Sequence, residues 1–333
     1  MATLFIAVLT LSASLTSADL AVVSGVVPGE RRVCIVNLDS GALRQVSNGP
    51  WDGAPAWSPD GNWIAHECLM PEGQTGIRIV GDDGIELRHL TVTEVSCRWP
   101  AWSPDGTKLG YAAGAGESWR VWVHDLAANT SVAWGTEALS MMSGVWASDT
   151  EIVGVAAVRA DDGRTTNLYT VEEKAVSPLV TTWGGGAFVE WSPAPHEGTG
   201  SIAYESNDGG DREIFVERPR RGVVDVSNHH APDWNPVWSP DGAWLAFESL
   251  RGGTRGIYKV APQRTLVYPV AADAASDNWS PAWSPDGDSM AFVSTRGGKP
   301  GVYICDADGS NARAVTPPER EDLAPAWRPA QMK

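Results

Sequence analysis

Two adjacent imidazoles, His229 and His230, stand just upstream of Asp233, with His196, Asp208 and Asp211 earlier in the chain. Carboxylates and imidazoles in one place can hold a divalent metal or move a proton. The spacing fits no metal motif, because the chain has no His-x-x-x-His pair and no Cys/His set. It also lacks a Gly-x-Ser-x-Gly nucleophile elbow and an EF-hand loop. No catalytic residue and no cofactor is therefore assigned. His229, His230 and Asp233 are the side chains a metal would use.

Binding chemistry is better represented. Trp51, Trp99, Trp183, Trp234 and Trp279 offer flat faces that give large contact area at low entropic cost, to a peptide side chain or a sugar ring. Arg212, Arg251, Arg255 and Arg296 lie in Gly-containing segments such as Arg251-Gly252-Gly253-Thr254-Arg255. Together they could receive an anionic group of a partner, for example a carboxylate. The formal net charge of −16 argues against nucleic acid and anionic membrane surfaces, both of which demand a basic footprint.

The elements that must position these side chains follow from a second set of tryptophans. Trp57, Trp102, Trp146, Trp191, Trp238, Trp283 and Trp327 recur at intervals of 44 to 47 residues. Four of them open the phrase Trp-Ser-Pro-Asp-Gly, at 57–61, 102–106, 238–242 and 283–287. A period in the forties is the length of one four-stranded propeller blade. Within a copy, Ala54 to Trp57 reads as strand A, Ser58-Pro59-Asp60-Gly61 as a tight turn, and Trp63 to Cys68 as strand B. Ile77 to Val80 then forms strand C and Leu87 to Leu90 strand D.

Six tryptophans head complete blades, and Trp327 supplies a strand A with nothing after it. The complement is at the other end, where Leu20 to Ser24, Arg32 to Val36 and Leu43 to Val46 read as strands B, C and D. The two ends thus complete one shared blade, giving an all-β, seven-bladed propeller closed without a free edge; six blades is the alternative count. The seven repeat tryptophans are expected to pack between blades, each large ring resting on small residues of a neighbour.

The phrase Pro-Ala-Trp-Ser-Pro-Asp-Gly, the apolar strand Trp244 to Phe247, a Tyr-bearing strand and an Asp-x-Asp-Gly turn resemble the repeat of the TolB-type propellers. The resemblance covers nearly all of residues 19–333 and implies a single propeller domain. Members acting in the Tol system are expected to have six blades and an added N-terminal α/β domain, whereas seven blades are counted here. Propeller lyases of uronate sugars, which hold a metal, give the comparison for the His229–His230–Asp233 group.

Antiparallel succession places A–B and C–D turns on one face and B–C and D–A loops on the other. The binding tryptophans fall in D–A loops and the arginines in or beside B–C loops of blades 5 to 7, so one face is expected to receive the partner. A protein or peptide is the expected partner, and a carbohydrate is the alternative, either bound or cleaved there as a uronide. Residues 1–18 hold a short apolar run ending in small residues, the pattern of a secretory signal, though without a basic residue before the run. Export to the periplasm or the extracellular space is the expectation, with no segment long enough to insert in a membrane. In that setting Cys68 and Cys97, both directed to the loop face, are expected to form a disulfide, while Cys34 and Cys305 read as buried thiols.

Overall fold

A computed structural model describes residues 19–25, 30–92, 94–116, 118–136, 140–160, 163–179, 189–196, 198–207, 210–263 and 266–330. For residues 142–143, 156–160, 163–167 and 189–193 it describes the backbone alone. The segment read as a secretory signal and Trp183 lie outside the described residues.

The described residues form 28 strands in seven four-stranded antiparallel sheets. Each sheet is a blade, numbered from the one that contains the chain ends. The A strands of blades 1 to 7 are Asp322–Trp327, Asp52–Trp57, Ser96–Trp102, Ser140–Ser148, Val189–His196, Asp233–Trp238 and Asn278–Trp283. Each sits at one edge of its sheet and touches the A strands on either side, so these seven strands form the inner ring. Blade 1 is the shared one: Asp19–Ser24 pairs antiparallel with Asp322–Trp327, matching Leu20 to Trp327 and Ala21 to Ala326. Arg328 fastens this closure. Its guanidinium bonds Asp19 Oδ2 (3.0 Å) and Asp82 Oδ2 (2.9 Å) and lies over the Trp57 ring.

The repeat tryptophans join blade to blade. Six of the seven indole N–H groups donate to a strand A carbonyl of the preceding blade: Trp57 to Ala326, Trp102 to Ala56, Trp146 to Ala101, Trp238 to Ala194, Trp283 to Val237 and Trp327 to Ala282. The ring rests on a small strand B residue of that blade, such as Ala65 under Trp102 and Ala246 under Trp283. Gly110 shows why the residue must be small, because a Cβ there would come within 3.0 Å of Trp146 Nε1. In the Ser-Pro-Asp-Gly turns, Ser239 Oγ donates to Asp241 Oδ1 and accepts from Trp244 N, and Gly242 takes φ +68°.

Blade 5 departs from the repeat, and the expected place of Trp191 is corrected. Ala194 pairs with Ala203 and Pro195 with Ile202, as Ala282 pairs with Ala291 and Trp283 with Met290. Pro195 therefore occupies the position that a tryptophan holds in the other six blades. Trp191 lies four residues earlier in the same strand. The decisive constraint is a small strand B residue beneath the next indole, and Ala203 provides it only in this register.

Candidate functional site

The loop-face ends of the A strands carry a recurring backbone device. In Ala54-Pro55, Trp99-Pro100, Asn235-Pro236, Ser280-Pro281 and Ala324-Pro325, the residue before proline has a positive φ of 45° to 56°. Proline has no N–H to give the ladder, and each pair sits where the A–B register shifts by a bulge. The bulge turns the preceding N–H away from its own sheet. At three interfaces it meets a buried glutamate from strand B of the preceding blade. Trp99 N donates to Glu67 Oε1 (2.9 Å), Asn235 N to Glu205 Oε1 (2.6 Å) and Ser280 N to Glu248 Oε1 (2.9 Å). These glutamates are absent from the sequence reading. Their signal is the strand B phrase Ala-His-Glu-Cys, Ala-Tyr-Glu-Ser or Ala-Phe-Glu-Ser.

Two of these interfaces adjoin in blades 5 to 7 and draw in the arginines. Asn235 Nδ2 also donates to Glu248 Oε1 (2.8 Å), so the backbone and side-chain N–H groups of one residue link the two carboxylates. Arg255 Nε donates to Glu248 Oε2, and Arg212 Nη1 lies 3.6 Å from Glu205 Oε2. The Arg255 guanidinium stands between two indoles, 5.5 Å from the Trp234 ring centre and 5.4 Å from that of Trp279. Its side chain is 36% exposed, and both tryptophans are half-buried. Burial pushes the Glu205 carboxyl up to about 8, with the Asn235 amide pulling the other way and the Glu248 charge adding to the rise. Glu67 is raised for the same first reason, burial.

The four arginines divide into two kinds. Arg251 and Arg296 are internal clamps at equivalent places. Each Nε donates to a strand B serine, Ser249 or Ser294, and each guanidinium lies over two rings, Phe247 and Tyr258 or Phe292 and Tyr303. Arg251 Nη2 reaches Asp233 Oδ2 at 2.6 Å, with Asp233 fully buried. Arg296 Nη2 reaches the neutral Asn278 Oδ1 at 3.1 Å and the half-exposed Asp273 Oδ2 at 3.5 Å. Arg212 and Arg255 are the pair at the mouth of the ring.

The tryptophans divide as well. Trp234 and Trp279 flank Arg255. Trp99 pairs instead with Trp119, ring centres 5.6 Å apart, and Trp51 stands against Gly53 in blade 2. The rim is thus a built sector at blades 5 to 7 and a separate aromatic pair at blade 3.

His229 and His230 line a pocket of about 430 Å³ with Asp211, Glu213, Asp225 and Asn228. Glu213 accepts from Ser227 Oγ and from His229 N, and burial raises Glu213, Asp225 and Asp233 above the usual carboxylate range. Asp233 is turned to Arg251. Among the described residues no three His, Cys, Asp or Glu side chains are grouped to hold a metal. His196 is on the other face, its ring against Trp238 and its Nε2 3.2 Å from Pro240 O. Asp208 lies outside the described residues.

All four cysteines are buried free thiols, so the expected Cys68–Cys97 bridge is not formed. Cys68 Sγ lies 3.7 Å from His89 Nε2, whereas Cys97 packs in the core with Ile77 and Leu109. Burial pushes Cys34, Cys68 and Cys305 up to about 11, which leaves them poor nucleophiles.

Comparison with known proteins agrees with this architecture. The TolB beta propeller domain family matches residues 192–333. The Tol-Pal system protein TolB of Methylobacillus flagellatus is 36% identical over 76 residues, 23% of this chain and 17% of that protein. The matched stretch is thus under a fifth of that relative's length. The crystal structure of TolB from Acinetobacter baumannii is similar with a TM-score of 0.59 and 17% identity, over 94% of this chain and 67% of that one. An oligogalacturonate lyase in complex with manganese is similar with a TM-score of 0.66 and 15% identity, over 86% of this chain and 85% of that one. At these identities the structural likeness is one of fold.

Proposed function

We propose, from the premise that this chain carries a TolB-type β-propeller, that it is an exported, non-enzymatic scaffold. It binds a protein or peptide on the face formed by the B–C and D–A loops. The observation that carries this reading is the Trp234–Arg255–Trp279 stack. Two half-buried indoles are held apart by a guanidinium that Glu248 in turn fixes from beneath. Preorganised aromatic groups beside a charged one are the composition of a protein-binding hot spot. That the matched relative is a Tol-Pal system protein supports the same class of partner. Export to the periplasm or beyond rests on residues 1–18, and N-terminal sequencing of the mature protein checks it. The test of binding is capture from a native envelope extract, identified by mass spectrometry. W234A/W279A should lose the partner while keeping wild-type thermal stability to within a few degrees. Undiminished capture by that variant rejects the reading.

The second reading is a carbohydrate or uronide site at the same face. It is favoured by the acidic, histidine-lined pocket of Asp211, Glu213, Asp225, His229 and His230 and by the likeness in fold to a manganese-bound oligogalacturonate lyase. A glycan array with metal analysis separates the two readings. Bound Mn²⁺ or uronide cleavage that is lost in H229A/H230A supports the second.

A further inference from the structure

The turn face of blade 5 carries a group of cations that the fold does not use. Arg218 ends strand C (Glu213–Arg218), and Pro219, Arg220 and Arg221 make the C–D turn, closed by Arg221 N to Arg218 O (3.0 Å) with Arg220 at φ +62°. Two other cations on this face have partners. Arg328 is held by Asp19 and Asp82, and Lys259 donates to Ala307 O (2.6 Å) above the Trp244 ring. Arg218, Arg220 and Arg221 have no ion pair among the described residues, in a chain with 41 acidic and 25 basic side chains. Arg218 Nε is shut off from solvent and donates to nothing. A guanidinium N–H in that position calls for an acceptor, since burial has taken its water and the protein has not replaced it.

Arg218 and Arg221 line one cavity of about 230 Å³ between blades 5 and 6, shared with Thr199, Ser201, Gln263 and the edge of Trp238. No carboxylate lines it among the described residues. Two arginines, two hydroxyl residues and a side-chain amide line one small space in which donors outnumber acceptors and no carboxylate stands among the described residues. That is the chemistry of an oxyanion site, in which planar forks of N–H groups receive a carboxylate or phosphate.

We propose that this cavity binds one oxyanion group, a carboxylate or a phosphate, carried by a small ligand. The site is on the opposite face from the proposed partner surface and does not depend on it. The cavity volume admits a single such group with little more, and the surrounding negative charge makes the local cations selective for a ligand that fits rather than for anions at large.

The experiment is isothermal titration of the full chain with sodium phosphate and, separately, with sodium acetate, each against sodium chloride at equal ionic strength. Saturable binding of at least one, with a dissociation constant in the millimolar range or tighter, is expected. The tighter of the two identifies the ligand's group. R218Q/R221Q should weaken it at least tenfold. R221Q alone, at an exposed side chain that the fold does not need, should weaken it several-fold with unchanged thermal stability. Neither anion binding beyond chloride, or R221Q and R218Q/R221Q binding as tightly as the wild type, overturns the proposal.

Discussion

Blades 6 and 7 on one side and blade 5 on the other are built from the same repeat, yet they spend their residues differently. In blades 6 and 7, away from the Trp234–Arg255–Trp279 stack, the side chains of the repeat have structural tasks. Trp238 and Trp283 tie neighbouring A strands, Arg251 and Arg296 clamp ring pairs to a serine, and Ser239 and Ser284 close the Asp-Gly turns. Blade 5 puts Pro195 where the tryptophan belongs, ends that strand in His196, and leaves the Arg218 and Arg221 side chains without an ion pair among the described residues. On the turn face, cations that the regular blades tie down are left over where blade 5 departs from the repeat, so on that face the irregular copy is where anion-binding chemistry should be sought.

The largest expected effect tests that division directly. W283A should destabilise the chain by about 3–5 kcal/mol, because it opens a cavity over Ala246 and leaves the Val237 carbonyl unpaired. P195A, at the equivalent position, should cost less than about 1 kcal/mol. Chemical denaturation of both variants decides it, and equal losses would show that Pro195 is no exception.

Next in size is the clamp pair. R251Q should cost about 2–4 kcal/mol, since it strands the buried Asp233 carboxylate, while R296Q, whose carboxylate partner Asp273 is half-exposed at 3.5 Å and whose nearer partner is neutral Asn278, should cost about half as much. The asymmetry sharpens the comparison within the regular blades. It predicts that R251Q/D233N recovers part of the loss.

The smallest effect is on pH dependence. Burial holds Glu205 at about 8 in the folded chain against 4.5 for an ordinary glutamate. Between those values the folded state keeps a proton that the unfolded state has released, so stability falls as pH rises through that window. Relative to E205Q, which cannot ionise, the wild type should lose about 1–3 kcal/mol between pH 5 and 8.5. Urea midpoints at the two pH values measure it, and parallel curves would remove Glu205 from the account.

How much of this was legible in the sequence differs with the range of the interaction involved. The blade number followed from Trp327 having no strands behind it and Leu20 to Ser24 having no strand A before them, because closure needs only complementary ends. The phrase around Trp191 misleads, since Trp-Ser-Pro there imitates the repeat while the register is set by Ala203 in another strand. The rim glutamates were invisible for a related reason. An x-Pro bulge sends its N–H to the preceding blade, and nothing local in Asn235-Pro236 names Glu205 as the acceptor. Arg251 and Arg255, four residues apart in one loop, read alike in sequence. Only the ring pair beneath one and the two tryptophans beside the other tell clamp from rim.

The central claim is that the partner is taken by the sector built around Trp234, Arg255 and Trp279. It is tested most directly by capture from native envelope extract with wild type, W234A/W279A and W99A side by side, quantified by mass spectrometry. The account predicts one protein or peptide retained by wild type and W99A and reduced at least tenfold with W234A/W279A. Equal retention by all three, or loss with W99A alone, would contradict it.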